Sequence, residues 1–588
     1  MDFDAFPLSF LCNMHNTYIM NKNNPRWWQD CIGYIIYPYS FKDSNGDGIG
    51  DLQGIISKLD YLCSLGVDLI WICPIFDSPM DDNGYDVRDY EHINPIFGTD
   101  EDFKQLLIEA HKRDMAIVID FVLNHTSDEH PWFQKALKDP SCKEHGYYIF
   151  RKGRYVNGKL LPPNNWKGYF STSVWKRVEG TDEFYFHLFS SRMPDVNWEN
   201  PELRAQYEEL ARRYLELGVD GFRLDACAHL SKDMTFADAS NPVDAHGLSF
   251  DASKFSNREP LFGYLQEMKR TVFEPYRAFT VGEVGGGLTP EDSLKLSDRE
   301  TGSISMVFNF DICWNNGGYG SIDKKDEEIN TNLFQLKDNF MRWYRACHAR
   351  ADMPLYWCNH DHPRVMSMYG SKEYRKESAK CLTSILLFMY GVPFLYQGDE
   401  LGMSNIVTDK TDVFESDPNT RNEMIYLRER GYSEQQIAHY MCRCARTNAR
   451  QSMPWNASKN GGFTDGISKS PANLDYLEGV NAEDEANDPD SILNFTKEAI
   501  ALRKTPFMQR MIREGSLEIL DYNHPDVLAF MHELDGERLI VIASMRKFDT
   551  YFSFFWTVKG VYLHNYADTI YENHVFHLRP FECFVLKV

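Results

Sequence analysis

Apolar positions recur along the chain in two alternating rhythms. Short runs of strand type occupy 34–39, 69–74, 116–122, 221–225, 279–283, 305–310, 355–359 and 393–397. Between most of them lie amphipathic stretches with apolar residues every three or four positions, among them 52–65, 101–113, 202–217 and 261–273. A strand-then-helix unit repeated in this way predicts an α/β fold, a (β/α)8 TIM barrel, in which the loops after the strands carry the chemistry. The rhythm breaks twice. Segment 126–193, rich in Trp, Tyr, Phe, Asn and Pro, predicts an inserted subdomain roofing the barrel mouth after strand 3, and a second long interruption follows strand 8 before a helix over 491–503. The longest apolar run, 385–396, is broken by Gly391 and Pro393 and reads as a buried strand with its approach, while the acidic stretch 473–490 reads as a solvated loop. Beyond Thr505 the period changes to two, at 516–520, 527–532, 538–544 and 581–588, which predicts a C-terminal antiparallel β-sandwich. The expected organisation is a loose tail at 1–24, barrel at 25–125, the insert at 126–193, barrel again at 194–505 with an insertion after strand 8, and the sandwich at 506–588.

Composition narrows the partners. The chain has 588 residues, 43% hydrophobic and 25% charged, with a formal net charge of −24, so a large core is available and a negative field disfavours nucleic acid and anionic membranes. No apolar run approaches the ~20 residues of a membrane helix. The 13 cysteines are odd in number and lack paired or metal spacing, which predicts free thiols in a reducing compartment, the cytoplasm. An aromatic share of 14% suits a site that packs rings against an uncharged ligand.

Three acids stand immediately after predicted barrel strands: Asp225 closes Gly221-Phe-Arg-Leu-Asp, Glu283 closes Thr280-Val-Gly-Glu, and Asp361 follows Asn359 and His360. Carboxylates gathered at one barrel mouth repel unless a ligand, a proton or Arg223 compensates. Two carboxyls ~5–5.5 Å apart are what a retaining glycosidase needs, one as nucleophile and one as acid and then base. Each acid alone could equally be a helix cap or a salt-bridge partner; their joint placement favours chemistry.

The motifs Asp120-Phe-Val-Leu-Asn-His125, Pro194-Asp-Val-Asn-Trp-Glu-Asn-Pro201, Gly221-Phe-Arg-Leu-Asp225, Glu283, Asn359-His-Asp361 and Gln397-Gly-Asp-Glu400 occur in the order found in the α-amylase superfamily of glycoside hydrolases. From Trp27 onward the chain resembles its oligo-1,6-glucosidase and α-glucosidase branch. That resemblance implies Asp225 as nucleophile, Glu283 as general acid/base and Asp361 as transition-state stabiliser, with Arg223 keeping the nucleophile ionised. It further implies sugar contacts from His125 and His360, a blind end closed by Tyr85 and Asp86, aromatic walls from Phe170 and Phe189, and a late arginine, Arg446, reaching the glycone, although Thr447 stands where the family usually has Asp. Ala226, directly after the nucleophile, occupies a position where valine goes with α-1,6 preference and alanine or threonine with α-1,4 acceptance. Met193 replaces a glutamine common in the branch, so a sugar contact is lost. The Arg-Leu-Asp-Arg-Asp cluster of sucrose isomerases is absent near 291–300.

One loop suggests a metal. Asp43-Ser-Asn45-Gly-Asp47-Gly-Ile49-Gly-Asp51 sets oxygens at alternate positions, as hard cations prefer, but Gly54 stands where an EF-hand has its bidentate Glu. It is similar to the structural calcium loop of this branch, which implies Asp43, Asn45, Asp47, the Ile49 carbonyl and Asp51 as ligands to Ca2+, with Mg2+ as the alternative. The expected function is an exo-acting, retaining α-glucosidase acting on short oligosaccharides, with no organic cofactor, as a monomer or weak homo-oligomer. The alternatives are a narrow oligo-1,6-glucosidase, a trehalose-6-phosphate hydrolase, a sucrose-isomerising transglucosidase or a non-catalytic barrel.

Overall fold

The computed structural model describes residues 24–588 apart from 286, 312–318 and 327–328, so all but the last residue of the expected tail lies outside the described residues. Eight parallel strands build the barrel: β1 (Gly33–Ile36), β2 (Leu69–Ile72), β3 (Ala116–Val122), β4 (Gly221–Asp225), β5 (Phe279–Glu283), β6 (Met306–Phe308), β7 (Pro354–Leu355) and β8 (Val392–Tyr396). Their hydrogen-bonded order is β6-β5-β4-β3-β2-β1-β8-β7. Every residue of β1, β2, β3, β4 and β8 is buried, as expected of parallel strands covered on both faces.

Helix Pro201–Leu217 shows how the covering layer is specified. The Asn200 side chain accepts from Glu202 N, a proline opens the first turn, and Gly218 closes the last in the left-handed conformation. Leu203, Tyr207, Ala211, Tyr214 and Leu215 form its buried stripe, and the chain then enters β4. Gly221 opens that strand because a Cβ there would run into the Phe279 carbonyl of β5.

The insert carries helix Pro131–Lys138 and a three-stranded antiparallel sheet of Phe150–Lys152, Glu183–Phe186 and Trp175–Arg177. Trp166, Trp175, Phe184 and Phe186 form a core there, joined by Phe236 from beyond β4. At the C-terminus a five-stranded antiparallel sheet and a three-stranded sheet enclose Val527, Ile540, Ile542, Phe552, Phe576 and Phe584. Its first strand begins at Ser516, because Thr505 caps a further helix, Pro506–Glu514, where the pattern change had suggested the boundary.

Five local expectations change. Segment 52–65 is two helices, Leu52–Ser57 and Leu59–Leu65, and the helix over 261–273 becomes a π-turn at Lys269–Phe273. The seventh strand pairs only at Pro354 and Leu355. Ile385 to Phe388 belong to helix Arg375–Phe388, whose residues from Ser378 on are all buried; a helix enclosed on every side has the same continuous apolar signature as a buried strand. The acidic stretch 473–490 is not merely solvated, since Leu474–Glu478 and Ala482–Asn487 are helical and Asp475 is buried against Arg375.

Candidate active site

The C-terminal ends of β4 and β5 bring the first two acids together through one guanidinium. Arg223 and Asp225 are two residues apart on β4 and so share a face. Arg223 is 2% exposed. Its Nη1 donates to Asp225 Oδ1 at 2.5 Å and to Asp120 Oδ1 at 2.6 Å, and its Nη2 donates to Glu283 Oε2 at 2.6 Å. Asp120 is there because β3 pairs with β4 in a register that sets it opposite Arg223. Trp71 Nε1 donates to its other oxygen at 3.0 Å. Ala226 leaves the strand with a left-handed φ of 46°, a cost of about 1–2 kcal/mol for a residue with a Cβ, and this turn directs its N–H to Glu283 Oε2 at 3.2 Å.

One guanidinium serves three carboxylates, and two of them, Asp120 and Asp225, are buried, so burial raises both of those carboxyls above their ordinary range. Burial pushes the Asp225 carboxyl well above its ordinary range; Arg223 opposes this, and Glu283 and Asp120 add to it. The expectation that Arg223 simply keeps Asp225 ionised is therefore half of the balance, the other half being competition for the same guanidinium.

Asp361 has the opposite environment. Burial alone would raise its carboxyl, but His360, Arg446 and Arg450 together hold it well below the usual carboxylate range. His360 Nε2 lies 3.1 Å from Oδ2, and Arg446 Nη1 and Arg450 Nη2 lie 3.3 and 2.8 Å from Oδ1. Arg446 also pairs with Asp82 at 2.6 Å and Asp417 at 2.7 Å, and Arg450 reaches Asp417 at 3.1 Å.

These groups surround a cavity of about 300 Å³. Tyr85, His125, Phe170, Phe189, Asp225, Ala226, Glu283, Asp361 and Arg446 all line it, as does Met193. Three residues expected at its surface do not. Asp86 is wholly buried and accepts from Ser78 Oγ and from the backbone N–H of Asp81 and Asp82 at 2.8–3.1 Å, so it shapes the loop. The carboxylate that faces the cavity from this loop is Asp82. His360 lies beneath the wall, stacked between Tyr37 and Tyr85, with Nε2 2.6 Å from Tyr85 Oη. Arg223 acts from behind the carboxylates. Sequence reasoning also missed Tyr169, His229, Gly285 and Phe310 on the wall, and Asp417 and Arg450 behind it. His229 stands in the short helical turn Cys227–His229 that follows Ala226; Asp417 and Arg450 gave no motif signal.

The chain that carries this site is matched over most of its length by known proteins. Residues 35–514 match the model of the α-amylase catalytic domain. The chain belongs to the α-amylase family. It is 38% identical over 569 residues to an oligo-1,6-glucosidase of Bacillus cereus, covering 96% of this chain and 99% of that protein. It is 36% identical over 580 residues to an α-glucosidase of Schizosaccharomyces pombe, again at 96% and 99% coverage. Among solved structures, a trehalose-6-phosphate hydrolase of Bacillus licheniformis superposes with a TM-score of 0.87 at 34% identity, covering 95% of this chain and 99% of that one. This α-amylase-family chain is accordingly a glycoside hydrolase of the oligo-1,6-glucosidase and α-glucosidase branch.

In this family member the loop after β1 is closed by its own acids. Asp43 accepts from the N–H of Asn45, Gly46 and Gly48 at 2.7–2.9 Å and from Thr464 Oγ1 at 2.5 Å. Asn45 Oδ1 and Asp47 Oδ1 each accept from the backbone two residues on, and Asp51 caps helix Leu52–Ser57 through Gly54 N. Among the described residues no three His, Cys, Asp or Glu side chains converge as a metal cluster. Every expected ligand is an oxygen, as a hard cation prefers, and Asn45 Oδ1 and Asp47 Oδ1 each accept one hydrogen bond and retain a second lone pair, whereas both Asp43 oxygens already accept two, so a cation there must displace donors.

Proposed function

We propose that this glycoside hydrolase is an exo-acting, retaining α-glucosidase that removes one glucose from the non-reducing end of short α-glucosides. The observation that carries this reading is the attachment of Asp225 and Glu283 to the two terminal nitrogens of one buried Arg223 at the wall of the cavity. In the first step Asp225 attacks the anomeric carbon while Glu283 gives its proton to the departing glycosidic oxygen, leaving a glucosyl ester on Asp225. In the second step Glu283 takes a proton from water, whose oxygen displaces Asp225 from the same carbon. Asp361, held ionised by His360, Arg446 and Arg450, stabilises the oxocarbenium-like transition state. The Asp82–Arg446 pair and Tyr85 form the glucose end, and Tyr169, Phe170, Phe189 and Phe310 form walls of the kind that pack on sugar faces.

Ala226 on the wall leaves room that a β-branched side chain would fill, which supports acceptance of α-1,4 linkages. A phosphorylated substrate is disfavoured because Arg446 is the one arginine or lysine among the described lining residues, and it already serves Asp82, Asp361 and Asp417. The test is a comparison of initial rates on maltose, isomaltose, sucrose, trehalose-6-phosphate and nitrophenyl α-glucoside, with the anomer of the released glucose followed by NMR. Hydrolysis of maltose with the α-anomer appearing first supports the reading. Cleavage of isomaltose alone overturns the linkage, preference for trehalose-6-phosphate overturns the substrate class, and release of the β-anomer overturns retention.

Asp43, Asn45, Asp47, the Ile49 carbonyl and Asp51 are proposed to hold a structural Ca2+ that braces this loop and takes no part in the chemistry. A cytoplasmic location is proposed from the free thiols: each described cysteine is unbridged, and among the described residues no helix is long and apolar enough to cross a membrane. Cell fractionation tests the location, and recovery of the chain outside the cytoplasm refutes it.

A further inference from the structure

Behind the cavity wall a fully buried ion pair bears on His125. Lys232 and Asp195 have side chains 1% and 0% exposed, and Nζ lies 2.8 Å from Asp195 Oδ2. Both touch the amide of Asn124, itself buried. Lys232 Nζ donates to Asn124 Oδ1 at 2.7 Å, while Asn124 Nδ2 donates to Asp195 Oδ2 at 3.0 Å. Reversing that amide would set its NH2 against the ammonium and its oxygen against the carboxylate, so the orientation is fixed from both ends.

The same Nδ2 lies 3.2 Å from His125 Nδ1. An amide nitrogen can only donate, so Nδ1 must accept and the ring proton sits on Nε2. Burial lowers this imidazole to about 4, which keeps it neutral at neutral pH and leaves it one proton. Nε2 is buried and makes no hydrogen bond of ordinary geometry among the described residues, although the Tyr85 backbone also acts on the ring, and His125 lines the cavity. A buried N–H left unpaired is costly, and the cavity is where a partner oxygen can reach it.

We propose that Lys232 is a positioning residue for the sugar site: by fixing the Asn124 amide it holds the His125 proton on Nε2 as a donor aimed at a substrate oxygen. The sugar part of this rests on the function proposed above; the tautomer does not. Such a device supplies a neutral donor with one defined direction and adds no charge beside the catalytic acids. Lys232 is also legible as a relay rather than a catalyst, since it touches Asn124 and Asp195 and is absent from the cavity wall.

The experiment is 15N NMR of the full chain labelled at histidine, with the His125 signals assigned by their loss in His125→Gln. In the unaltered protein Nε2 is expected to read as protonated and Nδ1 as bare. Asn124→Asp keeps an acceptor for Lys232 but removes the donor to the ring, so Nδ1 is expected to gain a proton, with kcat/KM on nitrophenyl α-glucoside falling about five- to tenfold. Lys232→Met is expected to mix the two tautomers; if that variant does not fold, Asn124→Asp still decides. A proton on Nδ1 in the unaltered protein, or an unchanged pattern in folded Asn124→Asp, overturns the proposal. Absence of glucosidase activity in the unaltered protein would instead overturn the proposed function and leave the tautomer result standing.

Discussion

Replacing Arg223 by Met tests whether one guanidinium sets the protonation of the catalytic acids. Its nitrogens lie 2.5–2.6 Å from Asp120, Asp225 and Glu283. With charge centres ~4 Å apart and an effective dielectric near 20, each attraction is about 4 kcal/mol, equivalent to about a thousandfold in proton affinity. The three acids respond together and part of that change is absorbed as one or two of them take up protons, so the net rise for Asp225 should be about ten- to a thousandfold in proton affinity. The sign follows from the balance at the site. Burial already raises Asp225 and Arg223 lowers it, so losing the arginine raises it further and less carboxylate exists at any given acidic pH. The acid limb of the kcat/KM profile should therefore move to higher pH by about 1–3 pH units, and activity on that limb should fall about tenfold for each pH unit the limb moves. Loss of a buried ion-pair partner costs about 3–5 kcal/mol, so the melting temperature must be measured alongside. A folded R223M protein whose acid limb stays where it was would refute this reasoning.

Other perturbations separate residues that the sequence alone confuses. D82N should lower kcat/KM for α-glucosides about tenfold or more, since hydrogen bonds to charged groups contribute about 1.5–3 kcal/mol. D86N should act mainly on the loop, costing about 1–3 kcal/mol of stability for a mispaired buried group, read as a lower melting temperature; if D86N proves the more damaging to substrate binding, the two roles are reversed. A226V fills the wall and puts a β-branched residue into a left-handed turn, so the maltose-to-isomaltose rate ratio should fall; an unchanged ratio removes Ala226 as a linkage determinant. Chelation should lower the melting temperature and release a divalent ion, and failure of both would discard the calcium loop.

Much of the barrel could be read from the chain because its strands are buried on both faces and its helices carry a regular stripe. Asp225 and Glu283 were legible for a related reason: each closes its strand, so position along the chain translates into position at the mouth, while Asp361 reaches the cavity from the loop beyond Leu355. The same translation failed for Asp86. Asp82 and Asp86 are near neighbours in one loop, and only the fold of that loop turns one into the cavity and the other onto backbone N–H groups. Contacts made across the whole chain were equally hidden. Asp82 meets Arg446, and Asp361 meets Arg450, from segments with no shared pattern. The acidic stretch 473–490 misled for a similar reason, because the arginine that makes Asp475 a buried partner lies in a distant helix.

The central claim is that Asp225 forms a covalent glucosyl ester, and the most direct test is to trap it. The protein is incubated with a fluorinated glucosyl fluoride whose second step is slow, then digested and read by mass spectrometry. One fluoroglucosyl group is expected on the peptide carrying Asp225, and none in D225N. A label on another residue, or a fully active enzyme that accumulates none, would contradict the claim.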